Sequence, residues 1–431
     1  MRRQLAEVSW VVGGQAATAL GTLVGVRVLT QFLSPGAYGV VTLATGMSIL
    51  AANLVAAPLT QAAIHFYPGI VADGSASELL KSLLRCYRSV APWAAVTALI
   101  GGVLYVGWGH GSPVLVVLLA LQFASDCWRS ANLSLLNAAR RQQRFALWTA
   151  TDIWSRPLAG ALAALWVGQS PVAVLAAYVL VSVCTATGFS YRLWPSGAAS
   201  PERAADRSRV LDARMWSYAL PLVPLGVISW MSSLGDRYII GGLLSVADAG
   251  IYAAVYGLAS SPFLIVSATG EQALRPIYQT AVTRGDSAGS RRIHRIWLAA
   301  VVGICALGVA LFAVGHEIIA GLFVGKAFRS AASLMPWIAT GYAIRAASYV
   351  FERVCYAYGQ TRRVLAIQLC AVAAALALTP AGVITFGLKG AAMAVPAYFS
   401  VQLATAIFFA RRTTREATDG RSVGTVIATR A

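Results

Sequence analysis

Twelve apolar runs, each of roughly 20 residues or more, leave this chain few ways to fold. They lie near 8–31, 38–66, 86–109, 113–138, 145–168, 171–194, 216–242, 249–281, 293–314, 331–358, 364–385 and 387–410. In hydrocarbon a backbone must satisfy its own hydrogen bonds, so runs of this length cross a bilayer as helices. Prolines inside them, such as Pro58, Pro157, Pro262 and Pro396, do not prevent this, because neighbouring helices and hydroxyls take up the freed groups. Charged residues are 12% of the sequence, about half the roughly 25% usual in soluble proteins. The mean hydropathy is +0.67. The expected fold class is an all-α membrane protein with about twelve transmembrane helices.

The basic residues are sorted. Arg2 and Arg3, Lys81 and Arg85, Arg140 and Arg141, Arg207 and Arg214, Arg291 and Arg292, Arg362 and Arg363, and Arg411 and Arg412 fall in the two tails and every second connection. The intervening connections hold few, with Lys326 and Arg329 the exceptions. Excess Lys and Arg marks cytoplasmic loops, which places both termini in the cytoplasm of a multi-pass inner-membrane protein. The same sorting accounts for the net charge of +18 as an orientation signal and a contact with anionic lipid. No nucleic-acid recognition module is visible, so nucleic acid is excluded as a partner. The six cysteines form no CxxC, which argues against a metal site or disulfide framework. The first run continues past Ala17-Thr18-Ala19 and reads as an uncleaved signal anchor.

The polar stretch from Trp194 to Arg214 falls between six runs and six more. It predicts an N-terminal six-helix lobe (1–194), a cytoplasmic linker (195–215), a C-terminal six-helix lobe (216–410) and a cytoplasmic tail (411–431). The lobes echo each other. Leu33-Ser34, Gly39 and Gly46 recur at one constant offset as Leu244-Ser245, Gly250 and Gly257. Arg27 precedes the first set and Arg237 the second. Arg140-Arg141 and Arg362-Arg363 follow the fourth helix of each lobe. Repeats with an even number of spans are related by a pseudo-two-fold axis along the membrane normal, with a site near midplane where they face.

Four segments carry a family resemblance. Val28-Leu-Thr-Gln-Phe-Leu-Ser-Pro-Gly-Ala-Tyr-Gly-Val-Val41 and the segment from Asp236 to Gly257 resemble the first outer turn and seventh-helix segment of the polysaccharide transporter (Wzx-type) flippases. Leu322-Phe-Val-Gly-Lys-Ala-Phe328 and Phe386-Gly-Leu-Lys-Gly-Ala-Ala-Met-Ala394 are similar to that family's loop before the tenth helix and its last hairpin. The family shares a superfamily with multidrug and toxin extruders and MurJ-type lipid II flippases. The resemblance implies two six-helix lobes in a V around a central cavity. It implies export of an oligosaccharide carried on undecaprenyl diphosphate, driven by an ion gradient. The partners are then that glycan lipid, membrane lipids, and polysaccharide polymerase and chain-length proteins.

Six arginines lie within spans away from their ends: Arg27, Arg129, Arg156, Arg237, Arg345 and Arg353. An arginine at a helix centre costs about 2.5–3.5 kcal/mol on insertion scales, so these must line a wet cavity, pair with acids, or both. Asp126 and Arg129, Asp152 and Arg156, and Glu271 and Arg275 sit at helical spacing for pairing. Asp236 adjoins Arg237 and Glu352 adjoins Arg353, but adjacent residues on a helix point apart. A guanidinium fork matches phosphate oxygens, so the six arginines are candidates for a diphosphate headgroup. For Arg27 and Arg237 the alternative is a structural role, with Arg27 snorkelling to the outer interface. For Arg129 and Arg156 the alternative is a structural ion pair. Gln15, Asn53, Gln61, Tyr256 and Gln272 are candidate sugar contacts, and Asp126, Asp152 and Glu271 candidate carboxylates for ion coupling.

No cofactor is expected. Gly321 to Ala327 lacks P-loop spacing, and Ala320 stands where an HExxH motif starting at His316 needs its second histidine. The protein is expected not to be an enzyme, since its longest outer connection, about 315–330, is too short for a catalytic loop. Competing readings are a lipid II flippase, a multidrug extruder, and a membrane glycan polymerase or ligase.

Overall fold

The computed structural model describes residues 2–72, 79–89, 113–190 and 201–418, which are helical almost throughout. The helices are α1 (Arg2–Phe32), α2 (Pro35–Ala72), α3 (79–89), α4 (Pro113–Ala138), α5 (Gln142–Val167) and α6 (Pro171–Ser190). Next come α7 (Pro201–Ala219), α8 (Val223–Leu243), α9 (Val246–Thr283), α10 (Ser287–Phe323), α11 (Met335–Ala357) and α12 (Thr361–Thr418). Most of the expected span at 86–109 lies outside the described residues. Within them there is no strand.

Seven described segments are long and apolar enough to cross a membrane. The one in α12, Thr361–Ala417, holds two of the expected spans. They meet at Gly387, whose φ of 58° and ψ of −139° break the helix between 385 and 387. A side chain resists that backbone, and glycine does not. The helices α1, α5 and α11 are not among the seven.

The chain forms two compact units, Met1–Trp230 and Met231–Ala431. In the first, α5 packs between α1 and α6, and α2 lies against α4 and α7. Gly21 and Gly25 let α1 meet Trp154 and Pro157 of α5, and Trp154 Nε1 donates to the Ala17 carbonyl at 2.9 Å. Two faces of contact dock α7. Met215 and Ala219 are buried with Leu79 and Leu83. Asp212 accepts from Arg85 Nε at 2.9 Å and Nη2 at 3.0 Å, and from the Ser82 hydroxyl. That hydrogen-bonded pairing with Asp212 raises Arg85 above the usual guanidinium range. Arg85 is 41% exposed, so the pair contributes at most about 1 kcal/mol. In the second unit α11 packs against α9, α10 and α12.

The sequence echoes mark equivalent caps. Ser34 Oγ accepts from Ala37 N at the start of α2, and Ser245 Oγ accepts from Asp248 N at the start of α9. Each hydroxyl satisfies a backbone N–H that the first helical turn leaves unpaired. Likewise Arg141 N donates to the Leu136 carbonyl at 2.9 Å, and Gln360 N to that of Cys355 at 2.8 Å. Both turns need a left-handed residue: Gly359 at φ 72° in one, Arg140 at φ 55° in the other. A non-glycine residue there costs about 1–2 kcal/mol. Arg140→Gly is therefore expected to raise the thermal midpoint in detergent, by an amount equivalent to about 1 kcal/mol. An unchanged or lowered midpoint would count against the strain.

Candidate functional site

Two charged clusters form, one in each unit. In the first unit the helical spacing sets up Asp126 with Arg129 on α4, at 3.6 Å, and Asp152 with Arg156 on α5, at 3.1 Å. Packing of α4 and α5 against α6 joins the pairs. Arg156 Nη2 donates to Asp126 Oδ1 at 2.7 Å, and Arg129 Nη1 lies 3.6 Å from Asp152 Oδ2. Asp126 Oδ2 also accepts from Gln122 Nε2 at 2.9 Å, and Asp152 Oδ1 from the Thr185 hydroxyl at 3.2 Å. Two positive and two negative charges cancel within this quartet.

The second unit is arranged differently. Arg345 on α11 forms no salt bridge among the described residues. Its Nε donates to Tyr349 Oη at 3.0 Å and its Nη1 to Tyr342 Oη at 3.3 Å. The rings of Phe399, Tyr349 and Tyr342 surround its Cζ at 5.2, 5.3 and 5.4 Å. A cation held over aromatic faces gains roughly 0.5–2 kcal/mol without being neutralised. Two of the five guanidinium N–H donors are used in these bonds, so three stay available. Tyr342 Oη in turn donates to Tyr256 Oη at 2.9 Å, and Arg237 Cζ lies 5.7 Å over the Tyr256 ring. The structure thus brings Arg237, Tyr256 and Arg345 into one aromatic cluster.

Arg353 is neutralised from another helix. Glu271 of α9 takes Arg353 Nη2 at 2.9 Å and Arg275 Nη1 at 2.8 Å. The partly buried Arg27 lies on α1. Gln15, Gln61 and Gln272 are exposed on α1, α2 and α9. Asn53 is partly buried, with its backbone pressed against Gly226 at the start of α8.

Two buried carboxylates escaped the sequence reading. Glu352 is 2% exposed and accepts from Gln402 Nε2 at 2.8 Å, Gln368 Nε2 at 3.0 Å and the Ser348 hydroxyl at 3.4 Å. Asp236 accepts from Tyr252 Oη at 3.0 Å and Arg237 N at 2.9 Å. It lines a small pocket with Ser232, Thr379 and Tyr398. Neither forms a salt bridge among the described residues. The one sequence signal was that each adjoins an arginine and points away from it. Among the described residues no group of His, Cys, Asp and Glu could hold a metal ion.

These features define an all-α, multi-pass membrane protein with the fold of the MOP-superfamily transporters. The chain is similar to an inward-facing multidrug resistance MATE family transporter, with a TM-score of 0.74 and 12% identity over 94% of this chain and 96% of that one. It is similar to the lipid II flippase MurJ in an inward closed conformation, with a TM-score of 0.70 and 12% identity over 94% and 87%. An outward-facing MATE family transporter gives a TM-score of 0.59 and 14% identity over 94% and 96%. At such identities the likeness concerns fold alone. The sequence supplies the family: residues 28–333 match the polysaccharide biosynthesis proteins, and the chain belongs to that family. This bears out the family resemblance carried by the segments at 28–41, 236–257 and 322–328. No curated protein matches the sequence significantly.

Proposed function

We propose that this protein is a flippase for undecaprenyl-diphosphate-linked oligosaccharide units. It moves them across the bacterial inner membrane for O-antigen, capsule or exopolysaccharide export, by alternating access driven by an ion gradient. One observation carries the reading: Arg345 is a cation on an aromatic base, with no acid bonded to it and three donors unspent among the described residues. A diphosphate offers the charge and oxygen geometry such a fork needs. Arg345 and Arg237 are the headgroup ligands of the C-terminal lobe (216–410), and Arg27 that of the N-terminal lobe (1–194). Arg353 and Arg156 hold acids in place. Tyr256 gives an aromatic face next to the headgroup, with Gln15, Asn53, Gln61 and Gln272 as sugar contacts.

Asp126, Asp152 and Glu271 each bond an arginine. Asp236 and Glu352 form no salt bridge among the described residues, and they are the better carboxylates for coupling to an inward ion flow. Both termini face the cytoplasm, the linker at 195–215 joins the lobes there, and polymerase and chain-length proteins receive the product.

The test uses the full chain in vesicles carrying undecaprenyl-diphosphate oligosaccharide. Exposure of the glycan to a membrane-impermeant glycosidase is followed with and without imposed proton and sodium gradients. Gradient-stimulated transfer is expected. Transfer of lipid II in preference would make this a lipid II flippase, and uptake of cationic dyes without glycan transfer a multidrug extruder.

A further inference from the structure

The two arginines of the N-terminal quartet are held unequally. Arg156 contacts both aspartates closely, at 2.7 and 3.1 Å. Arg129 stays 3.6 Å from both. The Nε of each arginine is buried without a hydrogen-bond partner, but Arg156 Nη2 donates to Asp126 Oδ1, whereas Arg129 donates no hydrogen bond among the described residues. Its side chain is also the most exposed of the four, at 25%, against 17% for Arg156, 15% for Asp126 and 3% for Asp152. Arg129 therefore balances charge without making a directed bond. A phosphoryl oxygen pair offers the bidentate geometry that the aspartates do not give it.

Removal of Arg129 from the quartet changes its charge. One arginine would face two aspartates, leaving a net −1 within a membrane span. An unpaired buried charge is costly, and one proton from bulk water restores neutrality. The structure holds an acceptor ready for that proton. Gln122 is 3% exposed, and its Nε2 donates to Asp126 Oδ2 at 2.9 Å. Its other amide atom, Oε1, is buried with no partner. A half-turn of the amide brings Oε1 to Asp126 Oδ2, where it accepts the O–H of a protonated carboxyl. Asp152 keeps Arg156 and the Thr185 hydroxyl.

The surroundings offer little competition. From α6, Ser182 and Thr185 are neutral, Tyr178 is in electrostatic reach of Arg156, and Tyr38 of α2 is in reach of Tyr178. Cys127 neighbours Asp126 on α4 itself. Where α1 meets α5 at Trp154 and Pro157 it presents Gly21 and Gly25.

We infer that Arg129 leaves the quartet to bind a phosphoryl group of the transported lipid, and that Asp126 takes up one proton as it does so. The identity of the anion rests on the flippase reading; the linkage between anion and proton does not. Anion and proton bind together and leave together. This site therefore reduces the negative charge that crosses the membrane. It does not convert an inward proton flow into export, which falls to carboxylates such as Asp236 and Glu352.

Sulfate is the probe, because it stays a dianion across the neutral range. The full chain in detergent is melted with and without sulfate at pH 6 and pH 8, and the affinity is read from the shift in midpoint. One linked proton makes sulfate binding tighter at the lower pH, by up to about tenfold per pH unit. Asp126→Asn mimics the protonated carboxyl and is expected to bind sulfate with no pH dependence. Arg129→Ala is expected to lose the pH-dependent part and keep the part due to Arg345. Gln122→Met leaves both charged groups in place and is expected to weaken the pH dependence. Persistence of the wild-type pH dependence in Asp126→Asn, Arg129→Ala or Gln122→Met would overturn the inference, as would its absence from the wild type. Failure of wild-type vesicles to move lipid-linked glycan removes the flippase reading instead, and leaves the sulfate result to decide Arg129.

Discussion

Arg345→Ala is expected to slow the transfer of lipid-linked glycan by roughly 10- to 100-fold while the protein still inserts in the membrane. The size follows from one charge-assisted hydrogen-bonding group, worth about 1.5–3 kcal/mol, at 1.4 kcal/mol per factor of ten. Arg345 is suited to this because its cage of Tyr342, Tyr349 and Phe399 fixes its position and leaves its charge intact. Arg345→Lys keeps the charge but loses the planar fork, and is expected to recover only part of the rate. Tyr349→Phe removes the hydrogen bond to Nε and leaves the ring, so its effect should be smaller than that of either arginine variant. The measurement is the initial rate of glycan exposure in vesicles, at matched protein incorporation. Wild-type rates for Arg345→Ala would remove Arg345 from the substrate path and reduce the cage to a packing feature.

The largest structural effect is expected at the hinge of α12. A Cβ on Gly390 would stand 1.9 Å from the Gly382 carbonyl oxygen and 2.4 Å from its carbon. Both are backbone atoms, so no side chain can move aside. The two halves must separate, with Gly387 at φ 58° already fixing the turn between them. Gly390→Ala is expected to destabilise the C-terminal unit by about 3 kcal/mol or more, the upper range for overpacking. The readout is the thermal midpoint and the yield of monodisperse protein in detergent. Gly303→Ala and Gly257→Ala are the controls, since a Cβ there meets nothing within 4 Å. If Gly390→Ala melted like those controls, the close crossing would be wrong.

The candidate site was legible only where its contacts are local. Asp126 with Arg129, Asp152 with Arg156 and Glu271 with Arg275 can be read from spacing, because three or four residues make one helical turn. The bond from Arg156 to Asp126 spans 30 residues, that from Arg353 to Glu271 spans 82, and that from Gln402 to Glu352 spans 50. Each depends on which helix packs beside which. The adjacent pairs Asp236-Arg237 and Glu352-Arg353 show the same limit. Helix geometry says that the neighbours diverge, but it does not say that Glu352 meets two glutamines of α12 or that Asp236 meets Tyr252.

The sequence by itself determined the class of molecule, the approximate positions of most described helices, and the acid–arginine pairs one helical turn apart. All of these follow from apolar run length and helical periodicity, which need no partner segment. Only the tertiary structure decided which charges are spent and which remain available. The energy of an intramembrane arginine depends on what lies across from it, and a helix cannot specify its neighbour's facing residues. So packing joins two local pairs into the neutral quartet around Asp126 and Asp152, and adds Phe399 of α12 to the two tyrosines that α11 itself places around Arg345.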